Sequence, residues 1–160
     1  MRVVPSLLVT VGCLISGVSP SQAQHAHAGH SAQQESIADG RQVVDFPEPL
    51  RTHTLANMRD HLLAVHEIQQ ALADGAYDRA ADLAEKRLGM TSLTLHGAHD
   101  VAAFMSEGMQ PIGSKMHRSA SRFAVEAANV GATGNVKPAL AALAGVTQQC
   151  VACHAGYSMK

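Results

Sequence analysis

The chain ends with the stretch KPALAALAGVTQQCVACHAGYSMK, residues 137–160, and this stretch decides the fold. A proline is well placed in the first turn of a helix, and Pro138 directly follows Lys137. Apolar residues then recur at three- and four-residue spacings, which is the helical period. The residues that share one predicted face are Leu140, Leu143, Val146 or Thr147, Cys150, Cys153 and His154. The stretch therefore predicts a final helix that carries two thiols and an imidazole on one side.

Three more helices are predicted upstream from the same spacing of apolar residues. They run from just after Pro49 to about Asp74, from Tyr77 or Asp78 to Gly89, and from Gln110-Pro111 to a break at residues 130–134. The apolar face expected of the first helix comprises Leu55, Met58, Leu62, Val65, Ile68 and Leu72. Residues 90–108 are expected to form a long connection that holds a helical turn or two. Residues 50–160 are thus predicted to be all-α, folded as an antiparallel four-helix bundle.

The composition agrees with helices and leaves little bulk for a core. The chain of 160 residues contains no Trp, two Tyr and three Phe, which argues against an all-β sandwich. Its formal net charge of -1 gives no broad basic field of the kind that binds nucleic acid. A large, flat, apolar cofactor would help to fill the core of a single domain.

Residues 1–23 have the layout of a secretory signal peptide. Met1-Arg2 is positively charged, Val3 to Val18 is almost entirely apolar or small, and Ser19 to Ala23 ends in a small-x-small pattern. We expect cleavage after Ala23, export to the periplasm, and no stable membrane insertion of the mature chain. The alternative is an uncleaved membrane anchor, for which the apolar run is short. Cleavage also removes Cys13, which leaves Cys150 and Cys153 as the mature cysteines.

Residues 24–49 are predicted to be a flexible, His-rich leader followed by an extended segment. His25, His27 and His30 could form a metal-binding tail, because imidazoles suit copper, nickel and zinc. They could equally belong to a solvated leader, and no carboxylate or cysteine joins them to fix a geometry. The prolines of Asp45-Phe-Pro-Glu-Pro49 favour extended backbone before each of them.

Cys150-Val-Ala-Cys-His154 matches the attachment signature of a c-type haem. Two thiols three residues apart can form thioethers with the vinyl groups on one edge of the porphyrin, and His154 then becomes the proximal iron ligand. A thioredoxin-like disulfide, a zinc site and a structural disulfide are the alternatives. The first usually lies near a βαβ unit, the second normally needs four ligands, and the third would close a very small loop. We therefore expect one covalently attached haem c.

This motif near the end of a fourth helix, after three Ala-rich helices, resembles the class II cytochromes c, the cytochrome c′ family. The resemblance covers residues 50–160 and includes Tyr157, three residues after the motif, and Gly75-Ala-Tyr77-Asp78 between the first two helices. Ser158 stands where the family usually has a basic residue. The resemblance implies a bundle with the haem packed against the first helix. It also implies a possible homodimer through helices 1 and 2, to which Leu63 could contribute.

The resemblance places the distal haem residue on the first helix, where counting back from Gly75 leads to Met58. A methionine ligand would keep the iron low-spin, whereas an apolar distal residue would leave it five-coordinate. Met58 could instead be a packing residue. His61, one turn further along, is the alternative distal ligand, and an open site is the third possibility.

The remaining histidines and methionines form weaker patterns. His96 and His99 could bind a metal together if their segment were helical, but partly exposed, hydrogen-bonded roles are more common. The same applies to His66 and His117. Four further methionines are expected to fill gaps in the core, and they are Met90, Met105, Met109 and Met116.

Electron transfer with periplasmic redox partner proteins is the function that these patterns favour. Binding of nitric oxide or carbon monoxide at a five-coordinate haem is the first alternative, and metal handling by the His-rich leader is the second. The sequence shows no paired carboxylates and no activated nucleophile, so we expect a carrier and not an enzyme. Weak peroxidase activity would need distal acid–base groups, for which only His61 is a candidate.

Overall fold

A computed structural model describes residues 39–160 of the chain. The expected signal peptide and the leader histidines His25, His27 and His30 lie outside the described residues. The described part is predominantly helical, which confirms the all-α class. Its elements in chain order are β1 (Gln42–Val44), α1 (Glu48–Ala73), α2 (Tyr77–Arg87), a 3-10 turn (Met90–Ser92), α3 (Ala98–Ala102), α4 (Met109–Thr133), α5 (Lys137–Gly156) and β2 (Tyr157–Met159).

Prolines and glycines set the limits of the long helices, as the sequence indicates. Pro49 lies in the first turn of α1. Backbone N–H groups in the first turn have no acceptor within the helix, so a residue without an N–H is tolerated there. Gly75 follows α1 with a φ of 70°, and Gly134 ends α4 with a φ of 66°. Glycine adopts this left-handed conformation without a steric cost, so both helices can stop within one residue.

Helix α4 is central to the packing of the long helices. This helix packs against both α5 and α2, and α2 in turn packs against α1. The largest fully buried apolar side chains of the core are Phe123, Ile68, Leu88, Val130 and Val146. Alanines fill much of the rest, including Ala64, Ala80, Ala120, Ala127 and Ala139, all with no exposed surface.

Two of the predicted apolar faces are partly wrong. Leu62 of α1 is 74% exposed and Leu140 of α5 is 50% exposed, although both were expected to be buried. The buried side of α1 carries Thr54, Ala64, Ile68 and Ala71 instead. Small side chains on that side allow α2 to approach α1 closely, so the side with alanines is buried in preference to the side with leucines.

Ion pairs of one arginine connect α2 to α1 at the edge of the core. The guanidinium of Arg87 contacts the carboxylates of Asp60 and Glu67 on α1, and it is largely covered by its neighbours. The hydrogen bond to the carboxylate of Asp60 is the main cause that raises the pKa of Arg87. The negative charges of Asp60 and Glu67 raise it further. Arg87 therefore remains charged in the folded protein and holds the C-terminal end of α2 against α1.

The connection between α2 and α4 contains the expected helical turns and lies on α1. It holds the 3-10 turn and the five-residue helix α3. His53 and Asn57 of α1 both donate hydrogen bonds to the backbone carbonyl of His96, each at 3.1 Å. These bonds fix the middle of the connection against the N-terminal half of α1.

A short parallel pair of strands, which the sequence does not predict, joins the two ends of the described chain. Gln42 pairs with Tyr157 and Val44 with Met159. The guanidinium of Arg41 lies 3.5 Å from the carbonyl oxygens of His154 and Tyr157, where a positive charge complements the C-terminal end of α5. The extended segment before α1 is thereby attached to the residues that follow the Cys-x-x-Cys-His motif.

Among residues 39–160, no helix combines the length and the apolar character that a membrane crossing would require.

Two valines of α4 offer a matched test of this core. Val130 is 2% exposed and Val125 is 61% exposed. Val130→Ala removes buried methyl groups and leaves a small cavity, so we expect it to lower the free energy of unfolding by roughly 2 kcal/mol in urea denaturation. Val125→Ala should change it by less than about 0.5 kcal/mol. Equal effects of the two substitutions would contradict the described orientation of α4.

Candidate functional site

The predicted attachment motif occupies the last turns of α5. Cys150 is exposed, Cys153 is half-buried, and both are free thiols. His154 is exposed. Because the three residues stand at helical positions i, i+3 and i+4, their side chains leave the helix on one side. The arrangement is the one that the spacing predicts.

The two thiols are held as neutral groups. The sulfur of Cys150 lies against the preceding turn, where its S–H points to the carbonyl of Val146 at 3.7 Å. Partial desolvation of the sulfur against this turn raises the pKa of Cys150, although the residue as a whole is exposed. Desolvation together with the neighbouring Cys150 raises the pKa of Cys153. Neither thiol is therefore activated as a thiolate at neutral pH, which is unlike the cysteines of thiol-based enzymes.

Cys153 borders a second apolar cluster, separate from the main core. The buried members of this cluster are Val44, Phe46, Val101 and Met109. Met105 and Tyr157 pack against its edge together with Cys153. The cluster thus brings the strand pair, the α3 connection and the start of α4 to the side of the attachment motif.

A cavity of about 140 Å³ lies between α1, the α3 connection and α4. Both residues considered as distal haem ligands, Met58 and His61, line it. Val101 and Met105 also line it, and the same two residues belong to the cluster around Cys153. Within the described part of the chain, the lining of this cavity does not include Cys150, Cys153 or His154. Val101 and Met105 therefore border both the cavity and the apolar cluster against which Cys153 packs.

Three imidazoles, from His61, His96 and His117, meet at this cavity and form what we call the histidine triad. The ring centroids are 4.5 Å apart for His61 and His96, 5.5 Å for His96 and His117, and 6.1 Å for His61 and His117. His96 and His117 are buried, at 6% and 8% exposure. The triad joins α1, the connection and α4.

Hydrogen bonds hold two of the triad rings from behind. Nδ1 of His117 donates to the backbone carbonyl of Leu88 at 2.8 Å. The hydroxyl of Ser92 donates to the carbonyl of Gly89 at 2.7 Å, so its oxygen can accept from Nδ1 of His96, 3.4 Å away. Nε2 of His96 then lies 3.3 Å from Nε2 of His61. Because Nδ1 of His117 donates to a carbonyl, Nε2 of the neutral His117 ring is unprotonated. Nδ1 of His96 also lies 3.4 Å from Nε2 of His61, so either nitrogen of His96 can face that ring.

Burial keeps the triad neutral. It lowers the pKa of His61 to about 4, with further lowering by His96 and His117. Burial is also the main cause that lowers the pKa of His96, and the charge of His117 lowers it further. Burial likewise lowers the pKa of His117. At pH 7 the three rings carry no charge and their lone pairs are available as ligands or as hydrogen-bond acceptors.

The structure does not bring His96 and His99 together. Gly97 adopts a left-handed conformation between them, with a φ of 58°, so the two residues do not share a helix face. The side chain of His99 is fully exposed and lies 3.6 Å from Asp100. The triad itself was missed from the sequence, because its members come from three segments at no regular spacing. The single feature of the sequence that pointed to the triad was the position of His61 at the edge of the apolar stripe of α1.

A scan against protein-family models, a search of curated proteins and a search of solved structures each returned no match.

The pKa of His61 makes stability depend on pH. Its pKa is about 4 when folded, against the ordinary value of 6.5, so the unfolded chain binds more protons between these values and stability falls as pH falls through this window. From pH 7 to pH 5 we expect His61 alone to remove on the order of 2 kcal/mol from the free energy of unfolding in urea denaturation.

Replacing His61 should flatten this pH dependence. The matched pair is His61→Gln and His66→Gln, since His66 lies on the same helix but is exposed. We expect the first substitution to reduce the loss between pH 7 and pH 5 and the second to leave it unchanged. An unaltered slope in His61→Gln would show that the imidazole is not held neutral in the folded protein.

Proposed function

We propose that this chain is a periplasmic mono-haem c-type cytochrome that carries electrons between redox partner proteins. Haem c would be attached through Cys150 and Cys153, with His154 as the proximal iron ligand. The observation that carries the proposal is a Cys-x-x-Cys-His motif on a helix, with two free thiols and an exposed imidazole on one side. The chain would serve as a carrier and not as an enzyme.

The donor set fits this cofactor. Both thiols are unpaired and protonated, so they are available for thioether formation, and the imidazole of His154 is not engaged elsewhere by a side chain of the described residues. Val151, between the cysteines, is 68% exposed and adds an apolar surface beside the motif. The cavity of the histidine triad, at about 140 Å³, is smaller than the roughly 300 Å³ at which ligand pockets begin. The cavity alone therefore does not accommodate a porphyrin, which would be held at the motif face of α5.

An antiparallel four-helix bundle of α1, α2, α4 and α5 is part of the same proposal. Residues 74–76 join α1 to α2 and residues 134–136 join α4 to α5, and connections this short favour antiparallel neighbours. The packing of α4 on α5 and α2, and of α2 on α1, supports this arrangement. The bundle would hold the motif on a rigid element.

A bound haem would supply an iron that alternates between the ferric and ferrous states. The chain would set how well the iron is shielded and which partner reaches it. Val101, Met105 and Met109 form the apolar side near Cys153 and would exclude water there. A rigid helix and a dry neighbourhood favour electron transfer, because little has to move when the charge changes.

Covalent attachment can be tested with cysteine variants expressed in a host that matures c-type cytochromes. We expect haem that survives a denaturing gel in the wild type, and its loss in the double variant Cys150→Ala/Cys153→Ala, since no thiol remains to form a thioether. Cys13→Ala is the matched control, because we expect that residue to leave with the signal peptide. Wild-type protein that is exported without covalent haem would contradict the proposal.

Gas binding at a five-coordinate haem is the second candidate function. It is favoured by the position of Met58, which lines the triad cavity, whereas Cys150, Cys153 and His154 do not. A methionine held there by packing would leave the iron open to nitric oxide or carbon monoxide.

Spectra of Met58→Leu decide between the two functions. If Met58 is a ligand, the wild type is low-spin and ignores carbon monoxide, whereas Met58→Leu becomes high-spin and binds it. Met105→Leu serves as the control, since that residue lines the same cavity. A wild-type protein that is already high-spin and shifts with carbon monoxide would replace electron transfer by gas binding as the proposed function.

A further inference from the structure

We propose that the histidine triad of His61, His96 and His117 is a binding site for zinc, a borderline transition metal ion, distinct from the proposed haem. The three imidazoles come from α1, the α3 connection and α4, so a bound ion would join three separate segments. None of these ligands belongs to the attachment motif. Because His61 is also the alternative distal haem ligand, the inference requires a haem whose iron does not use His61.

The spacing of the rings is close to what three coordinating imidazoles need. With metal–nitrogen bonds of about 2.0 to 2.1 Å and tetrahedral angles, the ring centroids of three ligands lie about 5 Å apart. The observed separations of 4.5, 5.5 and 6.1 Å lie on both sides of that value. The 3.3 Å between Nε2 of His61 and Nε2 of His96 is likewise the separation of two ligands on one ion.

The site would still have to tighten when the ion binds. Among residues 39–160, no group of three His, Cys, Asp or Glu side chains is already placed to hold a metal ion. His61 and His117 are the pair that lies furthest apart, so these two rings would have to approach each other. The cavity of about 140 Å³ that the three rings help to line leaves space for this movement.

The hydrogen bonds behind the rings are the independent argument for a ligand. Metal-binding histidines usually donate their second ring N–H to a carbonyl or another acceptor, which fixes the tautomer and aims the free nitrogen at the ion. His117 does this through the carbonyl of Leu88, and the hydroxyl oxygen of Ser92 lies 3.4 Å from Nδ1 of His96. Both partners are buried, at 1% exposure, so these contacts are protected from water.

The chemistry of the cavity selects the class of metal. Imidazole nitrogens suit zinc, copper and nickel. Calcium and magnesium, which require oxygen ligands, are excluded by this donor set.

Zinc titration of the full secreted protein by isothermal calorimetry tests the site without involving iron redox chemistry. We expect the wild type to bind zinc and His117→Ala to weaken that binding by about tenfold or more, since one of three ligands is lost. His99→Ala is the matched control, because that imidazole is fully exposed and should not affect binding. Equal affinities of wild type and His117→Ala, or no zinc binding by the wild type, would overturn the proposal.

Two further variants distinguish zinc binding at the triad from binding by the leader and from a folding defect. His25→Ala/His27→Ala/His30→Ala removes the leader imidazoles and should leave the triad-dependent binding intact; loss of all binding in it would assign the zinc to the leader and overturn the proposal. If His117→Ala folds poorly by circular dichroism, Ser92→Ala offers a milder test. It leaves all three ligands in place and should still weaken zinc binding, and unchanged binding would argue against the proposed support of His96.

Discussion

The close approach of helices through alanine is the constraint on which the rest of this structure depends. Ala64, Ala80, Ala120 and Ala127 have no exposed surface at all. Because an alanine adds little volume, the helix backbones that meet at these positions lie near one another, and few large side chains are needed to fill the space between them. Phe123 is the single aromatic residue among the fully buried side chains of the described chain. A core of this kind allows a chain with so few aromatic residues to fold, and it fixes which side of each helix faces inward.

The sequence predicted where helices occur better than which way they face. Proline in a first turn and glycine after a last turn act locally, so the limits of α1 and α4 follow from Pro49 and Gly134. The orientation of a helix depends on its partner. Leu62 belongs to a regular apolar stripe yet is exposed, because the partner of α1 packs on its alanines. The strand pair of β1 and β2 was equally out of reach, since its two halves come from opposite ends of the described chain.

The attachment motif and the histidine triad also differ in how well the sequence predicts them. The attachment motif is a local pattern, in which the identity and spacing of Cys150, Cys153 and His154 carry its chemistry. The histidine triad depends on tertiary contacts: His61 and His96 are 35 residues apart, and only the docking of the connection on α1 brings them together. Val101 and Met105 take part in both neighbourhoods. A change of packing at one site would therefore be felt at the other through these two side chains.

The pairing of β1 with β2 has a consequence for the order of folding. It joins Gln42 to Tyr157 across almost the whole described chain, whereas contacts between successive helices close much shorter loops. Closing a longer loop costs more entropy, and three-residue strands return little for it. The strand pair is therefore expected to form after the helical core and to open before it. During that interval the core is complete while the segment that follows His154 is still free, so Cys153, which is half-buried in the folded chain, would be more accessible until the two ends of the domain are joined.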